Sequence, residues 1–164
     1  MKRVDKRAIV SALRAEVARE MATLSRAAKD AREAATHEES KPENDKDTRG
    51  LEAAYLAGAQ ATRVRELERV DNALEFATLR TFTEGDVISQ TALVSLELDG
   101  AKAPQHFFVA PVCGGTRVTV EGVEVQVVTP QSPLGQALLG RAAGDVVELR
   151  TKQGVRAYEI MEVM

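Results

Sequence analysis

Apolar side chains recur in steps of three and four through residues 5–37, at Ile9, Leu13, Val17, Met21, Leu24, Ala28, Ala31 and Ala35, with neither glycine nor proline between them. This spacing predicts one face of a helix of about nine turns. The stepping returns at Leu51, Ala54, Gly58, Ala61, Val64, Leu67, Val70, Leu74 and Ala77. A stripe this narrow cannot bury itself on a lone helix, so each helix needs a partner, and the nearest is the other one folded back through a turn. With the turn near residue 42, Leu13 faces about Leu74, Val17 about Leu67 to Val70, Leu24 about Ala61 and Ala28 about Gly58. Towards the turn only small residues meet, with Ala27, Ala28, Ala31, Ala34 and Ala35 against Ala53, Ala54, Ala57, Gly58 and Ala61. That half is predicted to be slender and, at about 25 cal/mol per Å² of apolar area, the less stable half. Tyr55 and Phe76 are read as packing residues of the coil.

The pattern changes near Phe82. Alternating or short apolar runs follow at Thr91 to Leu98, His106 to Ala110, Thr116 to Val120, Val123 to Val128, Asp145 to Arg150 and Ala157 to Val163, separated by turn pairs such as Asp99-Gly100, Gly114-Gly115 and Glu121-Gly122. These predict six strands, with Glu121-Gly122 as a two-residue hairpin turn. Ser132-Pro133 opens a short amphipathic segment through Leu134, Ala137, Leu138 and Leu139 to Gly140, with Ser132 as N-cap and Pro133 at the first helical position. The fold class is therefore an N-terminal antiparallel two-helix coiled-coil hairpin, residues 1–80, followed by a small α+β domain, residues 81–164, with one helix across a mostly antiparallel sheet. Residues 78–90 connect the two, and Gly85 permits a hinge there.

Composition narrows the chemistry. A net charge of −3 over 164 residues excludes a generally basic nucleic-acid coat. One cysteine, Cys113, and two histidines, His37 and His106, cannot supply a four-ligand structural zinc site or a disulfide within the chain. No apolar run approaches the roughly 18 to 20 residues that span a bilayer, and the first ten residues are too charged for a signal peptide, so the expectation is a cytoplasmic protein with no membrane partner.

The turn itself is acidic. ATHEESKPENDKDTRG, residues 35–50, packs Glu38, Glu39, Glu43, Asp45 and Asp47 into residues 38–47, against only Lys41 and Lys46 there. Ser40-Lys41-Pro42-Glu43 has the form of a capping box, and acids at a helix start favour the macrodipole. Those rules do not account for Glu38 and Glu39, which fall at the C-terminal end of the first helix, where negative charge is unfavourable.

The run TPQSPLGQALLGRAAGDVVELRTKQGVRAYEIMEV, residues 129–163, resembles the C-terminal signature of the Gre family of bacterial transcript-cleavage and elongation factors. Its SP-x-x-x-A-L-x-G-x-x-x-GD-x-V positions are Ser132, Pro133, Ala137, Leu138, Gly140, Gly144, Asp145 and Val147. The hairpin is similar to the Gre coiled coil through AREAATHEESKPEN and RVRELE. The resemblance implies an FK506-binding-protein-like C-terminal domain that docks on RNA polymerase through Ser132, Pro133, Gly140 and Asp145, with the coiled coil entering the secondary channel. It also implies that tip carboxylates, from among Glu38, Glu39, Glu43, Asp45 and Asp47, help hold Mg²⁺ at the polymerase active site while backtracked RNA is cleaved. On that reading the protein is no enzyme and binds no cofactor or metal alone; it shares Mg²⁺ with bacterial RNA polymerase, meets the 3′ end of the nascent RNA, and is a monomer.

The turn departs from the family pattern. Aligned from Ala31-Arg32-Glu33, Glu43-Asn44 matches the family's Glu-Asn but Ser40 stands at its aspartate position; aligned from the C-terminal side, Glu43 takes the aspartate position and Lys46 the glutamate. Three readings stay open: a cleavage-stimulating factor, a Gre-like regulator or inhibitor that occupies the channel without cleavage, and a coiled-coil adaptor outside transcription.

Overall fold

The computed structural model describes residues 4–36, 49–98, 103–152 and 154–164. Two long helices, α1 (Lys6–Thr36) and α2 (Arg49–Glu75), form an N-terminal helical hairpin, and a mixed six-stranded sheet domain follows. By compactness the chain divides inside the helices: residues up to Leu13 and from Ala73 onward form one unit, and Arg14–Asn72 the other. The compact sheet unit thus takes in the first turns of α1 and the last turn of α2, where the sequence suggested a cut at residue 80.

Within the hairpin unit, Arg14 Nε and Nη2 donate to the two carboxylate oxygens of Asp71 at 2.7 and 3.0 Å, and Arg63 Nε and Nη2 donate to Glu20 Oε1 at 3.1 and 2.9 Å. Both pairs are arranged about position 42 in the sequence, so the helices are antiparallel in the expected register. Along α1 the expected stripe is the inward one. Val17 is buried, and Met21, Leu24, Ala28 and Ala31 are half-buried with exposed residues between them.

On α2 the stripe differs from the expectation in its distal part. It runs Leu74, Val70, Leu67, Val64, Gln60 and Ala57, while Ala54, Gly58 and Ala61 are exposed. The reason is rotational: each three-residue step falls about 60° short of a full turn and each four-residue step overshoots by about 40°, so consecutive threes walk off the face whereas alternation stays on it. Tyr55, two residues from Ala57 and so about 200° around the helix, is 73% exposed, and Phe76, just past the end of α2, is 79% exposed. Neither packs as a coil residue.

The sheet contains β1 (Leu93–Leu98), β2 (Gln105–Val109), β3 (Arg117–Val120), β4 (Val123–Val128), β5 (Val146–Thr151) and β6 (Gly154–Val163), in the order β3-β4-β2-β1-β6-β5. All neighbours are antiparallel except β2 and β4. The Glu121-Gly122 turn joins β3 to β4 with φ of +53° and +82°, both positive as a type I′ turn requires. β1 lies inside the sheet, and Leu93, Val94, Ser95 and Leu96 are all fully buried, so both of its faces are covered. On one face Val94, Leu96, Phe107, Val109, Val128 and Ile160 pack with Leu138 of α3 (Pro133–Leu138). Leu93, Phe108 and Val127, paired across three strands, line the other.

Candidate functional site

The acidic residues Glu38, Glu39, Glu43, Asp45 and Asp47, with Ser40 and His37, lie outside the described residues. What is described is the pair of arms on either side of them. α1 runs 31 residues to Thr36 and α2 runs 27 residues from Arg49, so the acidic run occupies the segment that joins two antiparallel helices. The arms carry ordered charge of their own: Arg63 also donates to Glu66 Oε2 at 3.2 Å, and its bonds to Glu20 and Glu66 hold its guanidinium protonated beyond its ordinary range. Arg14 holds the Asp71 carboxyl below the usual carboxylate range through its hydrogen bonds. On α2, Leu51, Tyr55 and Leu56 are exposed.

The four residues assigned to docking are all described, and each has a local structural task. Ser132 Oγ accepts from Gly135 N at 3.1 Å and donates to Thr129 O at 2.8 Å, which caps α3, while Pro133 fills its first position. Gly140, at φ +78°, donates from its amide to Ile88 O at 2.9 Å, and Arg141 O accepts from Ile88 N at 2.7 Å, so the loop after α3 is tied to the connector. Asp145 Oδ2 accepts from Ala142 N at 3.0 Å, closing the loop that carries Gly144 at φ +90°, whose amide reaches Ile160 O of β6. Pro133 and Gly140 are exposed; Ser132 and Asp145 are half-buried. The signature therefore fixes a short helix and its exit loop on the sheet and leaves part of that ridge open to solvent.

Gly135 shows how tight this ridge is. A Cβ there would lie 1.9 Å from Thr129 O, so only glycine lets α3 approach that strand end.

Sequence reasoning missed a second cluster, centred on Lys6 and Thr91. Lys6 Nζ donates to Arg80 O at 2.5 Å, Thr91 O at 2.9 Å and Met164 O at 2.9 Å, and stands 4.6 Å from the Phe82 ring centroid. Thr91 has φ +65°, an unfavourable value for a β-branched residue, yet its Oγ1 accepts from Arg80 N and donates to Thr78 O. These bonds hold the connector to the sheet domain. Gly85 lies in a turn closed by Asp86, whose Oδ2 accepts from Thr83 N at 2.8 Å and from Thr83 Oγ1 at 3.0 Å. Among the described residues, no cluster of three or more His, Cys, Asp or Glu could hold a metal ion, and no helix is long and apolar enough to cross a membrane.

Residues 116–164 match the family model described as transcription elongation factor, GreA/GreB, C-term. The chain is similar to transcription elongation factor GreA of Thermotoga petrophila, 41% identical over 28% of this chain and 37% of that protein, and to GreA of Thermotoga neapolitana, 28% identical over 65% of this chain and 63% of that protein. It spans less than two thirds of the length of these curated relatives. Among solved structures it is similar to the GreA factor homolog 1 (Gfh1) protein of Thermus thermophilus, at 20% identity, covering 92% of this chain and 94% of that one, with a TM-score of 0.39.

Proposed function

We propose that the chain, whose residues 116–164 match the GreA/GreB C-terminal family model, is a Gre-type elongation factor that acts on bacterial RNA polymerase from the secondary channel. In this reading the sheet domain docks through the ridge of Ser132, Pro133, Gly140 and Asp145, and the hairpin carries the acidic run Glu38 to Asp47 to the polymerase active site. The observation that carries the proposal is the pairing of a Gre-type C-terminal domain with two antiparallel helices that bracket five carboxylates.

The donor set suits the proposed chemistry. Carboxylate oxygens are the hard ligands that Mg²⁺ prefers. When bound between the polymerase and the tip, Mg²⁺ supplies charge neutralisation and an activated water for hydrolysis of the RNA backbone. The protein's part is to bring Glu43, with Glu38, Glu39, Asp45 or Asp47, to that centre at the end of the two helices. It contributes ligands to another enzyme's reaction and has no reaction of its own.

A second reading is favoured by a specific feature of the turn: neither alignment register puts an Asp/Glu pair at the family's tip positions, since Ser40 or Lys46 takes one of them. That feature fits a factor that occupies the channel without promoting cleavage. Stalled, backtracked elongation complexes separate the two when incubated with the wild type and with a variant carrying Ala at all five acids, following polymerase binding and RNA length together. Shortened RNA with wild type, and binding without shortening with the variant, is the expected result. Binding without shortening by the wild type itself assigns the non-cleaving role, and no binding removes both readings.

A further inference from the structure

Among the described residues the sheet ends in two edges, β3 and β5. They differ in what their side chains and backbone still need. β3 has four residues, and its Arg117 is answered by Glu124 of β4 at 3.6 Å. β5 has six, VVELRT, without glycine or proline, and it pairs with β6 from Val146 to Thr151 with no register shift. Edge strands are usually blunted by a proline, a bulge or a short length, and β5 has none of these. The direction of its backbone groups follows from the ladder. Ile160 N donates to Asp145 O at 2.8 Å, so the odd-numbered residues of β5 bond inward to β6, and by the alternation of an antiparallel pair Val146, Glu148 and Arg150 turn their N–H and C=O groups outward. The side chains of Glu148 and Arg150 are exposed on one face of the strand, and neither forms an ion pair among the described residues. Val146, on that face too, is 58% exposed.

We propose that β5 is a self-association edge: two copies of this chain join β5 to β5 antiparallel, about a two-fold axis at Leu149, where the family resemblance implies a monomer. Charge selects the register. Only outward-turned residues can bond across the new seam, so Val146, Glu148 and Arg150 must meet even-numbered residues of the other copy. An axis at Glu148 would set Glu148 against its own copy, and an axis at Arg150 would do the same with Arg150; each places like charges directly opposite. The axis at Leu149 instead sets Glu148 of each copy opposite Arg150 of the other, so the favourable pair is made twice, with about four backbone hydrogen bonds. It also sets Val146 opposite Lys152, whose aliphatic stem can lie along it. On the opposite face of the strand this register brings the two Leu149 side chains together at a non-hydrogen-bonded position, where side chains approach closest. Leu149 is half-buried at the rim of the sheet core, so the contact covers its open side. A seam of one strand pair is small, and a Kd on the order of 0.1 mM is expected.

Sedimentation equilibrium of the full chain, from about 10 µM to about 1 mM, tests this. The variants change only exposed side chains, and circular dichroism separates a failure to pair from a failure to fold. Wild type should pass from monomer to dimer over that range. Glu148→Arg alone, or Arg150→Glu alone, sets like charges opposite each other in both pairs and should weaken association about tenfold or more. Both substitutions in one chain restore opposite charges and should restore the dimer. An equimolar mixture of the two single variants should associate as well, because one then supplies only cations to the seam and the other only anions. A wild type still monomeric at about 1 mM overturns the proposal. A dimer that neither single variant weakens lies on another surface and overturns it too. If the single variants dissociate but neither the double exchange nor the mixture recovers the dimer, the register at Leu149 is wrong and the proposal falls with it.

Discussion

Leu13 and Leu24 belong to the same three-and-four stripe on α1, yet Leu13 is fully buried and Leu24 only half-buried. The first lies in the compact sheet unit and the second in the hairpin unit. The sheet unit closes its core on both faces of β1, fixes its loops with capped turns, and holds its connector through Lys6 and Thr91. Along the distal arms the inward residues are mostly alanine and a glutamine, and none of the described ones is fully buried. One periodic pattern therefore yields two stabilities, because area buried depends on side-chain size and on what else packs nearby. Regions of low local stability are where moving parts are commonly found, and by this measure the distal arms are the candidates.

The largest effect should come from Gly135→Ala. Its new Cβ would sit 1.9 Å from Thr129 O, backbone that cannot swing aside, so α3 must shift off the sheet and partly uncover Leu138. A loss of about 3 kcal/mol or more is expected in urea denaturation, with the hairpin's helical signal at 222 nm retained longer than the sheet domain's near-ultraviolet signal. A variant within about 0.5 kcal/mol of wild type would show that the α3 contact is not tight.

Leucine truncation then measures the contrast itself. Leu13→Ala removes a fully buried side chain and should cost about 3 kcal/mol, whereas Leu24→Ala should cost about 1 kcal/mol. Amide exchange sharpens the comparison: residues 18–33 of α1 should exchange faster than Ile9 to Leu13 and the amides of β1. Equal costs for the two leucines would mean that the distal stripe has a cover the hairpin does not supply.

Much of this could be read in advance, for identifiable reasons. All six strands carry period-two patterning or short apolar runs, and the turn residues between them are glycine-rich, so the elements declare themselves locally. The hairpin register follows from where large and small residues fall. The distal face of α2 was misread because three-residue steps were allowed to follow one another, and Gln60 does not look like an inward residue by composition, although its Oε1 is buried. Lys6 and Thr91 were invisible for a different reason. Lys6 bonds to backbone carbonyls 74, 85 and 158 residues away, and a carbonyl leaves no mark in a sequence. A positive φ at a β-branched residue is likewise imposed by tertiary structure against local preference. The acidic run, by contrast, is legible as composition alone.

The smallest expected effect is electrostatic and lies in the hairpin. Arg14 and Asp71 form a two-point ion pair across the helices at 2.7 and 3.0 Å, and the pair depresses the Asp71 carboxyl below its ordinary 3.8. The unfolded chain therefore takes up this proton at a higher pH than the folded chain does. Its contribution to stability is fully present above about pH 5 and is lost as the pH falls through the folded value. Because both side chains are partly exposed, at 37% and 24%, solvent and salt screen the pair, and it should contribute under about 1 kcal/mol. Asp71→Asn should accordingly lower Tm slightly at neutral pH, flatten the fall of Tm between about pH 5 and 3, and lose its difference from wild type in about 1 M salt. A double-mutant cycle with Arg14→Gln isolates the coupling. A coupling of zero would mean that the antiparallel register is set by the Leu67, Val70 and Leu74 stripe alone, with the ion pair following from the packing.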